Sequence, residues 1–309
     1  MKTVGYHIPV MLKETLDLLI TDRKGTYLDC TLGGGGHSKA ILDYIDPEGY
    51  VLAVDRDAEA VKYASELLGE YSNFKAHQIC FSRLNELDEI VFGMKFDGIL
   101  LDLGLSSRQI DDAGRGFSYM SESVLDMRMN RDDEMSALEV VNKYPEEELT
   151  SIFFKYGEEN RSRKIAAAIV SQRDKKVIGS TKELAGIIAS VTPSNFRIKT
   201  LSRIFQAVRI EVNRELEELD TALNFSMDIL KPGGRCAVIS YHSLEDRIVK
   251  NFIKDRSEGC TCPKNFPVCV CGKKPSVSVV TRKPVTASDE ETARNSRARS
   301  AKLRVFCKL

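Results

Sequence analysis

The sequence lacks any long apolar run. No stretch approaches the roughly 18 apolar residues that a membrane-spanning helix needs, and this argues against a helical membrane protein. The sequence is expected to have no signal-peptide core near the start, because Lys13, Glu14 and Asp17 interrupt the only apolar stretch there. It lacks net charge, with 45 Lys and Arg against 45 Asp and Glu, so there is no global basic signature of a nucleic-acid binder. It lacks a disulfide framework: the eight cysteines are scattered or closely paired rather than spaced to staple a small secreted domain. A reducing cytoplasm is the expected compartment. Finally, it lacks the third glycine of the G-x-G-x-x-G dinucleotide fingerprint. Counted from Gly33 and Gly35 the last position is Ser38, and counted from Gly34 and Gly36 it is Lys39. What remains is an ordinary globular composition, 42% hydrophobic and 29% charged over 309 residues, long enough for one large domain or two.

The informative stretch is Thr26 to Ala40, TYLDCTLGGGGHSKA. It reads as a short buried strand, a turn of four glycines without Cβ atoms, and a helix start with Ala40, Ile41, Leu42 and Ile45 on its apolar face. Tyr50–Asp55, YVLAVD, reads as a second strand. Asp55 lies about 20 residues past the glycines, where a carboxylate accepts hydrogen bonds from ribose hydroxyls. Phe96–Leu103, FDGILLDL, reads as another buried strand, ending at Asp102. Glycines, Asp55 and Asp102 thus stand at carboxyl ends of strands, the edge at which open α/β sheets bind ligands. Asp29, just before the turn, would repel a pyrophosphate but suits an ammonium group. Adenosylmethionine carries an ammonium, a ribose and a sulfonium and no phosphate, so these residues favour it over NAD. Phe74–Ile79 suits a third strand of the same sheet. Phe81 follows it, where an aromatic face can cover an adenine.

The run D-C-T-L-G-G-G-G-H (Asp29–His37) resembles the first motif of the RsmH (MraW) family of adenosylmethionine-dependent 16S rRNA methyltransferases. The resemblance continues through L-D-L-G-L-S-S-R-Q-I-D (Leu101–Asp111), R-G-F-S-Y (Arg115–Tyr119), L-D-M-R-M (Leu125–Met129), Y-G-E-E (Tyr156–Glu159) and S-R-K-I-A (Ser162–Ala166). It ends with F-Q-A-V-R-I-E-V-N-R-E-L (Phe205–Leu216), Y-H-S-L-E-D-R (Tyr241–Arg247) and R-S-A-K-L-R (Arg299–Arg304). These blocks run in order over nearly the whole chain. The resemblance implies an α/β fold, a Rossmann-like class I methyltransferase domain with an inserted helical domain. The cofactor domain would be residues 1–106 and 214–309, and the insertion, residues 107–213, would recognise substrate. The implied reaction is methylation of the exocyclic N4 amine of a cytidine in the decoding region of 16S rRNA, on free rRNA or the small ribosomal subunit. Gly35, Gly36, His37, Asp55, Phe81, Asp102 and Gln109 would contact the cofactor. Asp102 would also be catalytic, since a carboxylate that accepts a hydrogen bond from the poorly nucleophilic amine raises its reactivity. One departure stands out: where family members often carry His-Pro-Ala-Thr-Arg, this chain has Lys199, Thr200, Leu201, Ser202 and Arg203, so no role for that histidine carries over.

Other stretches remain open on sequence. Residues 7–20 read as an extended start and an amphipathic helix. Residues 107–213 show helical patterns at 136–143, 146–155, 162–173 and 182–190, and Leu201–Leu230 reads as one long helix returning to the sheet. Arg108, Arg115, Arg128, Arg161, Arg163, Arg203 and Arg209 are candidates either for RNA phosphates or for pairs with nearby acids. His242 is a secondary candidate for the site or a cap for its turn. From Lys231 onward there are 17 Lys and Arg against 7 Asp and Glu, a local excess that a phosphate backbone can use. Cys260, Cys262, Cys269 and Cys271 form two C-x-C pairs whose ligand type suits tetrahedral zinc, although each pair is spaced one residue apart rather than the usual two to four. A redox-labile pair or a loop of thiols is the other reading. Competing functions are a methyltransferase of DNA or a small molecule, and a non-catalytic RNA-binding protein. Against an N4-cytosine DNA enzyme, Leu103-Gly104-Leu105 follows Asp102 in place of a Pro-Pro-aromatic run.

Overall fold

The computed structural model describes residues 9–260, 262 and 271–309, with Val91, Ser107, Asp111 and Ala113 described by their backbone. The chain divides into two compact units, Met1–Gly104 with Leu216–Leu309, and Leu105–Glu215.

The first unit is built on an eight-stranded sheet: β1 (Thr26–Asp29), β2 (Tyr50–Asp55), β3 (Phe74–Gln78), β4 (Phe96–Asp102), β5 (Leu230–Ser240), β6 (Val277–Val279), β7 (Val285–Thr286) and β8 (Lys302–Lys308). The strand order is β3-β2-β1-β4-β5-β8-β6, with β7 also on β8. The first five strands are parallel, and β8 runs antiparallel to β5 and carries β6 and β7 on its other edge. This is the strand arrangement of a Rossmann-like class I methyltransferase. The order reverses between β1 and β4, and such a switch point opens a crevice at the carboxyl ends of the strands.

Both faces of the sheet are covered, as a parallel sheet requires. Successive residues alternate between them. Leu28, Leu52, Leu101 and Val238 enter one core with Leu219, Leu223, Val249 and Phe252. Their neighbours Tyr27, Val51, Leu100 and Ile239 enter the other with Leu19, Ile41 and Leu42. Each such side chain stabilises the fold by roughly 1.5–3 kcal/mol through burial, and that is why the strands read as continuous apolar runs. The start of the chain supplies the helix Leu12–Leu19.

The second unit is helical, with helices Ala137–Lys143, Glu146–Lys155, Ser162–Arg173, Thr181–Ser190 and Arg197–Asn213. Its only pairing among the described residues is an isolated bridge, Val124 with Ser180. It has its own core, in which Phe153, Ile165, Ile169, Leu184, Ile188 and Ile204 are fully buried.

One expectation needs correction here. Leu201–Leu230 is not one helix. The chain forms Arg197–Asn213 and then Glu215–Ile229, broken at Arg214, which takes a left-handed conformation with φ 50° and ψ 36°. A β-carbon disfavours that conformation, so the break was invisible to periodicity. The arginines of this unit also acquire partners. Arg128 grips the Asp126 carboxylate with two parallel bonds of 2.7 and 2.9 Å, and Arg209 does the same with Glu215 at 2.8 and 2.9 Å. Arg115 is buried and donates to the backbone carbonyls of Arg128 and Met129. Arg203 lies 3.6 Å from Glu159, and Arg161 stacks over the Phe196 ring at 5.5 Å. At least these arginines have structural work, and Arg163 is exposed.

Candidate functional site

The glycine turn follows β1 directly. Gly33 and Gly35 take φ of 49° and 77°, conformations that residues with a side chain rarely adopt. A Cβ on Gly35 would stand 3.2 Å from that of Ala64, so glycine there lets the turn pack closely on the helix Ala58–Leu67. Gly35 then caps the helix Gly36–Tyr44, and its amide donates to the Leu32 carbonyl at 2.7 Å.

Three carboxylates gather around this turn. Asp29 is fully buried. One of its oxygens accepts from the Ser38 hydroxyl at 2.6 Å and the other from the Thr31 amide at 3.0 Å. Burial pushes its pKa up, against those hydrogen bonds. Both of its oxygens are thus engaged inside the turn. Asp55, at the end of β2, accepts from the Gly33 amide at 2.8 Å and the Asp57 amide at 2.9 Å. Burial, opposed by these amides, pushes its pKa up to about 6. It both holds the turn and stands beside it.

Asp102 ends β4. Its backbone N–H donates to the Thr31 hydroxyl at 2.7 Å, and its Oδ1 accepts from the Tyr241 hydroxyl at 2.7 Å. Its side chain keeps 22% exposure, and Oδ2 lies 3.4 Å from His37 Nε2. His37 is buried with neither ring nitrogen in hydrogen-bond geometry among the described residues. Burial alone would lower the imidazole's pKa, but the Asp102 and Asp29 carboxylates outweigh it and the net change is upward. Burial, with Asp102 beside it, drives the Tyr241 phenol well above its ordinary pKa, so the phenol is a fixed donor at neutral pH.

Tyr241 and Thr31 are the partners that sequence reasoning missed. The signal was the Tyr241–Arg247 block, read for its histidine instead. His242 caps the helix Ser243–Ser257: its amide donates to Glu245 Oε2 at 3.2 Å and its Nδ1 accepts from the Glu245 amide at 3.4 Å. Phe81 follows β3 at the head of a short 3-10 helix and packs, half-buried, against the sheet core. Gln109 belongs to the helical unit. Its side-chain oxygen accepts from the Ser106 amide at 3.0 Å in a capping box.

The chemistry of this edge fits adenosylmethionine. Bare backbone admits close approach, a carboxylate stands beside it for hydroxyl groups, and three acidic side chains attract a cation and repel a pyrophosphate. His37 is a buried group of the same cluster, 3.4 Å from the Asp102 carboxylate.

Comparison with known proteins agrees. The chain is 50% identical over 304 residues to the ribosomal RNA small subunit methyltransferase H of Caldicellulosiruptor saccharolyticus, covering 98% of this chain and 99% of that one. Proteins of the same name from Fusobacterium nucleatum, 46% identical over 99% of this chain and 98% of theirs, and Clostridium botulinum, 49% identical over 98% and 99%, match equally completely. The MraW methylase family model matches residues 5–309, and with the sheet order and the glycine turn already in place, the chain belongs to the MraW methylase family.

Proposed function

We propose that this protein transfers a methyl group from adenosylmethionine to the exocyclic N4 amine of a cytidine in the decoding region of 16S rRNA, in the cytoplasm, with the small ribosomal subunit as the working substrate. The observation that carries the mechanism is the Asp102 carboxylate, part-exposed at a strand end, with its Oδ1 held by the Tyr241 hydroxyl and its residue's backbone N–H held by the Thr31 hydroxyl.

Gly35, Gly36, His37, Asp55 and Phe81 hold the cofactor, with the Asp55 carboxylate on its hydroxyl groups and the Phe81 ring on its base. Gln109 is included on its motif. When bound, the cofactor supplies an activated methyl electrophile. The protein's share is to position the acceptor in line with it and to manage the proton. The amine's lone pair is delocalised into the cytosine ring. Asp102 Oδ2, the oxygen not taken by Tyr241, accepts a hydrogen bond from the amine, localises its electron density, and takes the proton as the new bond forms. Tyr241 fixes the carboxylate through Oδ1, and Oδ2, 3.4 Å from His37 Nε2, is the oxygen assigned to the amine. The target base must leave its stack to reach such a site. Residues 105–215 are the substrate-recognition unit in this reading, and the basic segment from Lys231 onward contributes phosphate contacts. Part of that charge is internal, since Arg304 and Lys302 pair with Asp246.

The test is transfer of labelled methyl to small subunits lacking the modification, with free 16S rRNA and DNA in parallel. Label is expected on N4 of one cytidine, in the subunit above free rRNA. Cofactor binding with no label on any RNA would overturn the substrate assignment.

A prediction attaches to Tyr241. Tyr241→Phe removes one hydrogen bond to a charged group, worth about 1.5–3 kcal/mol. Turnover is expected to fall about 10- to 100-fold, with the cofactor Kd from calorimetry held within about twofold. Unchanged turnover would remove Tyr241 from the mechanism.

A further inference from the structure

Four of the eight cysteines lie within twelve residues, at 260, 262, 269 and 271, in a connection that methyl transfer does not explain. Cys269 lies outside the described residues. The connection leaves the helix Ser243–Ser257 and rejoins regular structure at β6. Its base is closed by the Ser276 amide donating to the Arg256 carbonyl at 2.8 Å, with the Leu309 amide on the Ser276 carbonyl at 3.0 Å.

The sulfurs of Cys260, Cys262 and Cys271 all lie within 4.8 Å of one another. The Cys260 and Cys271 sulfurs are 3.7 Å apart. A disulfide needs about 2.05 Å, so this is not a bonded pair. Two sulfurs sharing a tetrahedral zinc, each about 2.3 Å from it, stand about 3.8 Å apart. The Cys262 amide also points at the Cys260 sulfur, at 3.4 Å, and an N–H directed at sulfur stabilises the thiolate form that a metal requires. Soft thiolates at this spacing select zinc over the hard cations.

We propose that Cys260, Cys262 and Cys271 bind one zinc ion as thiolates, each releasing its proton to solvent, and that the ion staples the connection between the Ser243–Ser257 helix and β6. The one-residue spacing of Cys260 and Cys262 is compatible with this, because the third ligand, Cys271, comes from outside that pair.

Zinc content of the full chain, purified in reducing buffer without chelator, is expected at about one ion per chain. Cys260→Ser, Cys262→Ser and Cys271→Ser should each lower it below about a tenth of that, and Cys307→Ser on β8 should leave it unchanged. If a variant fails to fold, the unaltered protein still decides the matter. Cobalt in place of zinc should give sulfur-to-metal charge transfer and a tetrahedral visible spectrum, and a chelator should expose thiols to a disulfide reagent. No zinc and no cobalt band in the unaltered protein would overturn the proposal. So would zinc retained by all three variants, or a disulfide between Cys260 and Cys271 on non-reducing peptide mapping of protein kept under reducing conditions.

Discussion

Asp102→Ala is expected to lower turnover by about 10³-fold, the middle of the range for loss of a positioned general base, while the chain folds and binds cofactor. The strand end survives because the backbone N–H of residue 102 reaches the Thr31 hydroxyl without help from the side chain. Asp102→Asn is the sharper test. It keeps the shape and an oxygen for the Tyr241 hydroxyl, and removes the charge and the capacity to take a proton. A fall of the same order in the asparagine variant, with a cofactor Kd less than about tenfold higher, assigns proton management to Asp102. A fall seen only in affinity would move its role to the cofactor, and near-normal turnover in both variants would sink the mechanism. Single-turnover methyl transfer beside calorimetric cofactor binding separates these outcomes.

Asp55→Asn is expected to weaken cofactor binding by about 10²-fold at pH 8, since up to two charge-assisted hydrogen bonds, worth about 1.5–3 kcal/mol each, are lost to the ligand. The pH dependence carries the more specific expectation. The Asp55 carboxyl titrates at about 6 because burial disfavours its charge. A free carboxyl group titrates near 3.9. The folded-state value lies above the unfolded one, so charging this group costs stability as pH rises from about 4 through 6. Hydroxyl donors on the ligand favour the charged form, so affinity should climb over that window and level off by pH 8. The asparagine variant should show a flat profile there. A wild-type affinity independent of pH between 5 and 8 would remove Asp55 from the cofactor site.

Much of the sheet was legible because its strands are buried on both faces and stop at residues that cannot be buried cheaply. YVLAVD and FDGILLD end in carboxylates, and the structure ends β2 and β4 at Asp55 and Asp102. The helices of residues 136–190 announced themselves through leucine and isoleucine spacing. What could not be read was set by distant partners. β6 and β7 are three and two residues long and exist only because β8 offers them an edge. Asp29 drew notice in the sequence as a carboxylate that repels a pyrophosphate and suits an ammonium, and in the structure it is fully buried. Ser38, nine residues on, supplies the hydrogen bond that makes burial tolerable. Tyr241 reaches Asp102 across 139 residues of sequence, and nothing local marks it as the partner in place of His242. The cysteines proposed here to bind zinc were singled out in the sequence as two C-x-C pairs, but the approach of the Cys260, Cys262 and Cys271 sulfurs to within 4.8 Å was not legible there.

The helical unit is spliced between β4 and β5, strands that pair directly, with Asp102 opposite Ile239. During synthesis the second of these residues follows the first by roughly 7 to 27 s at ordinary elongation rates. For that interval one edge of β4 has no strand beside it, and Ile99 and Leu101 wait for a neighbour. The helices, which bury a core of their own, have all their residues in hand before that neighbour exists. A nascent chain stalled in this window therefore holds the whole helical sequence beside an unsealed sheet edge, an arrangement open to aggregation.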